Sequence, residues 1–118
     1  MTRSKYSYEK HGETSPADTT VVNARGGKQA HIATRLTLIP PGALMRVGEI
    51  LSTGAEKYGI ENWHLISYEE HLDHALEHAM RFLAHESGED HLGNFCCRAL
   101  MALEMNLCDN QRKEIQNE

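Results

Sequence analysis

The segment from Tyr68 to His91 constrains this chain most, because its polar and apolar residues repeat with the period of a helix. It holds five of the chain's eight histidines and seven of its seventeen acidic residues. At about 100° per residue, His71, His74, His78 and His85 fall within an arc of roughly 60°. The apolar residues point the other way: Leu72, Ala75, Leu76, Ala79, Phe82 and Leu83. We predict a helix with one face in the core and an opposite face of imidazoles and carboxylates, the ligands of divalent metal ions.

The composition of the 118 residues is that of one ordinary globular domain. The few aromatic residues and the many Leu, Ala and Met favour helices. The net charge of −5 argues against a general nucleic-acid-binding surface, which would be basic. Three cysteines, two of them adjacent, predict neither a disulfide framework nor a structural zinc site. Because no apolar run or signal-peptide pattern is present, we expect a cytoplasmic protein.

Three regions follow from the order of residues along the chain. Residues 1–22 are polar without an apolar period, which predicts a flexible arm, or one that closes over a site or a partner subunit. Residues 23–108 form the predicted helical domain, and residues 109–118 are expected to be a frayed polar tail.

Gly26 and Gly27 lie between Arg25 and Lys28, a pattern typical either of a phosphate-binding nest or of a plain turn. The residues that follow, 31–39, are expected to be extended up to the two prolines at 40 and 41.

Three helices are predicted. The first begins at Pro41 and ends between Ala55 and Tyr58. Ser67 and Glu70 form a capping box that starts the second, which is expected to end at about His85 or Glu86, before Gly88. The third begins near Glu89 and Asp90 and buries a stripe of Leu92, Phe95, Cys96, Ala99, Ala102 and Leu103. Because the link between the last two is short, we expect them to pack antiparallel.

The polar face shared by these two helices has two interpretations. It is either a solvated charged surface or a metal or phosphate site, such as helical bundles build from inward-facing acids and histidines. Five histidines within 21 residues favour the site, because histidine has no particular advantage on a wet surface. Trp63, the only tryptophan, is interpreted as a packing anchor or as a surface for stacking a base.

Several segments together resemble one known family in order and spacing. They are GGKQA, RLTLIPPGAL, GAEKYGIENW, EEHLDHALEH and EDHLGN, and the resemblance covers about residues 25–107. The set is similar to the phage-associated dATP/dGTP diphosphohydrolase domain, related to the MazG-like nucleotide pyrophosphohydrolases. The resemblance implies an all-α helical bundle, completed as a homodimer or larger oligomer, in the cytoplasm of a phage host. It also implies Mg²⁺- or Mn²⁺-dependent cleavage of a deoxynucleoside triphosphate to the monophosphate and pyrophosphate.

The resemblance also implies roles for individual residues. The metal-facing positions are Glu70, Asp73, His74, Glu77, His78, Glu89, Asp90 and His91, and Glu77 or His78 is the expected catalytic base. The substrate-binding positions are Lys28 and Lys57 for the triphosphate, Asn62 and Trp63 for the purine, with Arg81 and Asn94. The chain departs from MazG-like enzymes in placing histidines among the carboxylates, and it has Asn94 where this branch is expected to have histidine.

Other functions fit the same residues. One is a helical module that binds a nucleotide without hydrolysing it, which Asn94 makes worth testing. Another is a histidine-rich metal phosphohydrolase that cleaves a phosphomonoester or a cyclic nucleotide. A purely structural bundle would bind neither metal nor nucleotide.

Overall fold

The computed structural model describes residues 19–116, which fall into two compact units, residues 19–40 and residues 41–116. In the first, strand β1 (Thr20–Val22) pairs antiparallel with strand β2 (Lys28–Ala30), with Val21 opposite Gln29. A short 3-10 helix follows at Leu36–Leu38. Most of the predicted arm lies outside the described residues, and its last three residues form β1.

The turn between β1 and β2 decides between the two interpretations of the glycine pair. The Asn23 side-chain oxygen accepts hydrogen bonds from the backbone N–H of Arg25 at 3.0 Å and of Gly27 at 2.8 Å. Gly26 has φ +85°, which favours glycine, and its N–H donates to the Asn23 carbonyl. Because these N–H groups are already bonded within the turn, they do not form an open phosphate nest. The expectation that residues 31–39 are wholly extended is likewise wrong at Leu36–Leu38.

The second unit contains three α-helices, which confirms the predicted helical bundle for residues 41–116, while the short β1–β2 sheet lies in the first unit. Helix α1 spans Pro41–Tyr58, α2 spans Tyr68–Leu83 and α3 spans His91–Gln116, with a 3-10 helix at Asn62–Leu65 before α2. The α3 helix continues eight residues beyond its expected end at residue 108, so the described part of the predicted frayed tail is helical. None of these helices is long and apolar enough to cross a membrane.

The start of α2 follows the predicted capping box. The Ser67 hydroxyl accepts from the Glu70 N–H at 3.2 Å, and the Glu70 carboxylate accepts from the Ser67 N–H at 3.4 Å. Two donors that a helix start would leave unpaired are thereby bonded, which stabilises a helix by about 1 kcal/mol.

Helices α2 and α3 pack antiparallel, as expected from the short link. His78 of α2 contacts His91 of α3. A second contact joins His71, seven residues before His78, to Arg98, seven residues after His91. Seven residues are about two helical turns, so the two contacts lie one above the other along the interface.

The side of α2 that faces α3 differs from the predicted one. Ala75 and His71 are fully buried, whereas Leu72 and Leu76 are 46% and 54% exposed. Phe82 and Leu83 are exposed as well. The apolar-face rule failed here because His71 and His78 find hydrogen-bonding partners on α3, which allows a polar side to be buried.

The predicted stripe of α3 is also only partly correct. Ala102 is buried, but Leu92 and Leu103 are exposed, and the buried positions also include Cys97, Met105 and Cys108. Burial raises the pKa of the Cys97 thiol to about 11, and its Sγ donates to the Val47 carbonyl of α1 at 3.7 Å.

Helix α1 approaches the first turn of α3 closely at Gly93. A Cβ atom at this position would meet the Asp90 carboxylate and would lie 2.6 Å from the Ile50 Cδ1 atom, too close for any side chain without a shift. Glycine therefore allows α1 to fix the end of α3 that begins at His91.

Candidate metal centre

Three side chains converge where α2 ends and α3 begins. The metal cluster comprises His78, Glu89 and His91, whose candidate ligand atoms all lie within 4.8 Å of one another. The two Nδ1 atoms of His78 and His91 are 3.0 Å apart, and His78 Nδ1 lies 3.8 Å from Glu89 Oε1. Ligands that bind one ion at about 2.1 Å are roughly 3 Å apart in neighbouring positions. The two imidazoles fit a shared divalent ion, and Glu89 needs only a small movement.

The chain reversal between α2 and α3 brings these residues together. His85 has φ +60° and Gly88 has φ +96°, both in the left-handed region. The Glu86 N–H donates to the Arg81 carbonyl at 3.1 Å, which closes the end of α2. His91 then begins α3 at the level of His78.

The protonation of His78 suits metal binding. Burial lowers the pKa of His78, while the neighbouring Glu89 carboxylate acts in the opposite direction and His91 lowers it further. In the short contact between the two Nδ1 atoms, one ring donates an N–H and the other accepts. For both Nδ1 atoms to bind one ion, the donor ring would carry its hydrogen on Nε2 instead. A neutral imidazole offers the lone pair that a metal ion requires.

An acidic depression of about 500 Å³ surrounds the metal cluster. Besides the cluster it is lined by His74, Glu77, Arg81 and Glu86. Glu77, Glu86 and Glu89 provide three carboxylates against the one guanidinium of Arg81, so the depression attracts a cation.

Arg81 is already paired with two of these carboxylates. It donates to Glu77 at 2.7 Å and to Glu86 at 2.8 Å. The hydrogen bond from Arg81 lowers the pKa of the Glu77 carboxyl. A carboxylate held in this way is a weak base, so Glu77 in this arrangement is not poised to accept a proton.

Asp90 sits beside the metal cluster with both carboxylate oxygens in use. Oδ1 accepts from the Gly93 N–H at 2.9 Å, which caps α3, and Oδ2 accepts from Arg46 Nε at 2.7 Å. These two bonds lower the pKa of Asp90. The carboxylate therefore holds α3 against α1, and no oxygen of it is directed to the metal cluster.

The two remaining predicted metal positions lie apart from the metal cluster. The Glu70 carboxylate accepts the capping hydrogen bond at the first turn of α2, roughly 12 Å along the helix axis from His78. Asp73 is exposed on α2 and does not line the acidic depression.

The predicted substrate-binding residues are divided among several places. Asn94 donates to the Asp90 carbonyl at 2.8 Å and to Glu89 at 3.4 Å, beside the metal cluster. Asn62 and Trp63 line another cavity, between α1 and α3. Lys57 lies over the Tyr58 ring at 5.0 Å. Lys28 belongs to β2, in the other unit.

His71 shows a different use of the same residue type on the same helix. Its Nε2 donates to the Trp63 carbonyl at 2.8 Å, and its Nδ1 accepts from Arg98 at 3.0 Å. Burial lowers the pKa of His71, and the Arg98 charge lowers it further, against the effect of the Trp63 bond. Both ring nitrogens are occupied, so this histidine has no lone pair left for a metal ion.

Sequence reasoning assigned no site role to Arg46 and Arg98. Arg98 had a usable signal, because the polar residues Asp90, Asn94 and Arg98 recur every four residues, opposite the expected buried stripe of α3. Arg46 had none, since its partner Asp90 is 44 residues away in the chain.

Comparison with protein families identifies a family to which this chain is similar. The family described as dATP/dGTP diphosphohydrolase, N-terminal, matches residues 23–116, a range that contains all three helices and every residue of the metal cluster. No curated protein and no solved structure matches the chain significantly.

Proposed function

The chain belongs to the dATP/dGTP diphosphohydrolase, N-terminal, family, and on this basis we propose that it hydrolyses dATP or dGTP to the monophosphate and pyrophosphate with the help of a divalent cation. The observation that carries the proposal is the convergence of His78, Glu89 and His91 inside an acidic depression. The family description supplies the reaction, and the metal cluster supplies a place where the charge of a polyphosphate can be neutralised.

Mn²⁺ is the expected preferred ion, with Mg²⁺ as the alternative. Mg²⁺ prefers oxygen ligands, whereas two imidazoles and one carboxylate suit a softer divalent ion. When bound, such an ion would offset the phosphate charge and polarise a water molecule for attack. In this assignment His78 acts as a ligand and not as the base.

Arg81 is the proposed partner of the polyphosphate within the acidic depression. A phosphate oxygen competes with Glu77 and Glu86 for the guanidinium, because each accepts the same N–H donors. If phosphate displaces Glu77, its carboxylate loses the bond that lowers its pKa and becomes a better base. Lys28 and Lys57 remain further candidates for the phosphate charge, through the family resemblance.

We also propose that the chain acts as a homo-oligomer. The exposed apolar residues of α2 form one helical stripe that includes Leu72, Leu76 and Leu83. Light scattering on the wild-type protein and on Leu76→Glu tests this. We expect a dimer or larger assembly that the charged side chain disrupts. A monomeric wild type contradicts it.

The activity is tested with a panel of deoxynucleoside triphosphates, each with Mn²⁺ and with Mg²⁺, and with the products separated by chromatography. We expect pyrophosphate release from dATP or dGTP, and at least about a 100-fold loss in His91→Asn. His85→Asn is the matched control, because His85 is exposed, lies outside the metal cluster, and has a positive φ that asparagine tolerates.

The products separate the candidate functions. Orthophosphate or a linearised cyclic nucleotide would indicate another class of phosphohydrolase. Nucleotide binding without turnover would indicate a sequestering module, a second candidate that the pairing of Glu77 with Arg81 favours. If the protein neither binds nor hydrolyses a nucleotide, and His91→Asn has the same metal content as the wild type, the bundle is purely structural.

A further inference from the structure

A second cavity, which we call the aromatic cavity, lies between α1, the 3-10 helix before α2, and α3. Its volume is about 390 Å³, within the range of roughly 300–1,000 Å³ typical of small-molecule sites. Apolar side chains form much of its wall. Polar side chains are few: Ser52, whose hydroxyl donates to the Gly48 carbonyl, and Asn62, Asn94 and Arg98. Tyr58 and Trp63 supply the aromatic surface.

The chemistry of this lining suits a flat heterocycle. Aromatic rings such as those of Tyr58 and Trp63 stack on the face of a base at little conformational cost. Asparagine pairs with the N6 and N7 atoms of adenine and arginine with the O6 and N7 atoms of guanine. Two asparagines and one arginine on an apolar wall therefore match the edge of a purine.

Asn94 joins the aromatic cavity to the metal cluster. It lines the cavity and donates to Glu89, one of the three cluster residues. At about 1.5 Å per residue, Asn94 and Arg98 lie roughly 4.5 Å and 10.5 Å along α3 from His91. A ligand with phosphates at His91 and a base near Arg98 would need a spacer the size of one sugar between them.

His71 holds two walls of the aromatic cavity in place. It donates to the Trp63 carbonyl and accepts from Arg98, and both partners line the cavity. The bonds of this buried side chain restrict the Trp63 backbone and the Arg98 guanidinium, and its ring lies edge-on to the indole with 6.3 Å between the ring centroids. The cavity is therefore preformed.

We propose that the aromatic cavity binds the purine base of the nucleotide whose phosphates reach the metal cluster. This inference rests on the proposed function, because that function supplies the nucleotide. It assigns Trp63 and Tyr58 to the face of the base and Asn62, Asn94 and Arg98 to its edge. Base recognition then lies within the same chain as the metal cluster.

Trp63 provides the measurement, because it is the only tryptophan. Its fluorescence is titrated with dAMP and dGMP, which carry the base but cannot be hydrolysed to pyrophosphate, with dCMP, and with pyrophosphate alone, all with Mn²⁺. We expect quenching by the two purine nucleotides, at least about tenfold weaker binding of dCMP, and no quenching by pyrophosphate.

Gly54 offers a variant that fills the aromatic cavity without disturbing the helix. It lines the cavity, and a Cβ added there would meet no atom within 4 Å. Leucine also favours helix more than glycine does. We expect Gly54→Leu to weaken dGMP and dAMP binding at least about tenfold. Gly48→Leu is the control, since Gly48 is in the same helix, has the same open surroundings and does not line the cavity.

The outcomes separate this inference from the proposed function. Quenching by dGMP that Gly54→Leu abolishes, with no pyrophosphate release from any triphosphate, supports the cavity and contradicts the hydrolysis. If Gly54→Leu releases pyrophosphate and binds dGMP as the wild type does, the assignment of the base to the aromatic cavity is overturned and the proposed hydrolysis is kept. Quenching by pyrophosphate alone has the same meaning. If no nucleotide binds the wild type, both are overturned.

Discussion

His71 and His78 lie two turns apart on α2, both face α3, and have opposite surroundings. Both nitrogens of His71 are bonded, to the Trp63 carbonyl and to Arg98, and the side chain is fully buried. His78 meets only another imidazole, His91, with the Glu89 carboxylate at 3.8 Å. A histidine whose hydrogen bonds are complete stabilises the fold, whereas two imidazoles that face each other beside a carboxylate leave room for an ion. The comparison predicts that the two residues can be separated by experiment.

The largest expected effect is on stability, from His71→Ala. The change leaves a cavity, and it leaves the Trp63 carbonyl and the Arg98 guanidinium without their partner. We expect the free energy of unfolding to fall by about 2–4 kcal/mol, measured by urea denaturation. His74→Ala, on the exposed part of the same helix, is the control and should change stability by less than about 0.5 kcal/mol. Equal effects of the two substitutions would mean that the bonds of His71 do not stabilise the fold.

The next effect is on metal affinity, from His78→Ala. Removing one imidazole of the metal cluster should weaken Mn²⁺ binding at least about 100-fold, measured by titration calorimetry. His71→Asn, studied at a temperature where it is folded, should bind Mn²⁺ within about threefold of the wild type, because His71 has no lone pair directed to the cluster. Weaker Mn²⁺ binding by His71→Asn than by His78→Ala would reverse the assignment of the two histidines.

How much of this could be predicted from the sequence depends on the range of the interaction. Local signals succeeded: the Ser67 capping box starts α2, Tyr58 ends α1, and the short link gives antiparallel packing. Three of the expected metal positions converge, because residues on either side of a short turn must lie close together.

The failures share a physical cause, which is that burial of a polar group depends on a distant partner. The buried side of α2 was assigned to its leucines, because a sequence does not show that Arg98 lies opposite His71. Asp90 was assigned to the metal, because nothing near it in the chain indicates that its carboxylate pairs with Arg46. Glu70 had a visible capping role and was nevertheless also counted as a ligand.

A smaller effect is expected at the glycine that positions His91. In Gly93→Ala the new Cβ meets the Asp90 carboxylate and Ile50 of α1, so α3 must shift or these side chains must move. We expect a loss of about 1–2 kcal/mol in stability and a measurable loss of Mn²⁺ affinity, because His91 moves with the helix start. Gly48→Ala, which meets no atom, should be neutral or stabilising in the same urea experiment. If Gly93→Ala is as stable as the wild type, α1 can move away from the added methyl group without a loss in the free energy of unfolding.

The smallest effect concerns pH, and it distinguishes the two histidines once more. The ordinary pKa of histidine is 6.5, and the folded state lowers the pKa of His71. Below pH 6.5 the unfolded chain therefore binds more protons at this position, and stability falls as the pH is lowered, by at most about 1.4 kcal/mol per pH unit per group. Above that pH the contribution is complete. The lowered pKa of His78 gives the same sign.

Saturating Mn²⁺ at each pH separates the two contributions. Protons compete with the ion at His78, so bound Mn²⁺ makes the free energy of unfolding depend more steeply on pH. The part of this pH dependence that comes from His71 is the same with and without metal. We therefore expect His71→Asn to lose part of the slope measured without metal and to keep the additional slope that Mn²⁺ introduces. Urea denaturation between pH 5 and 8, with and without Mn²⁺, measures both. An unchanged metal-free slope in His71→Asn would show that its buried imidazole does not titrate differently on folding, and would remove the basis for contrasting it with His78.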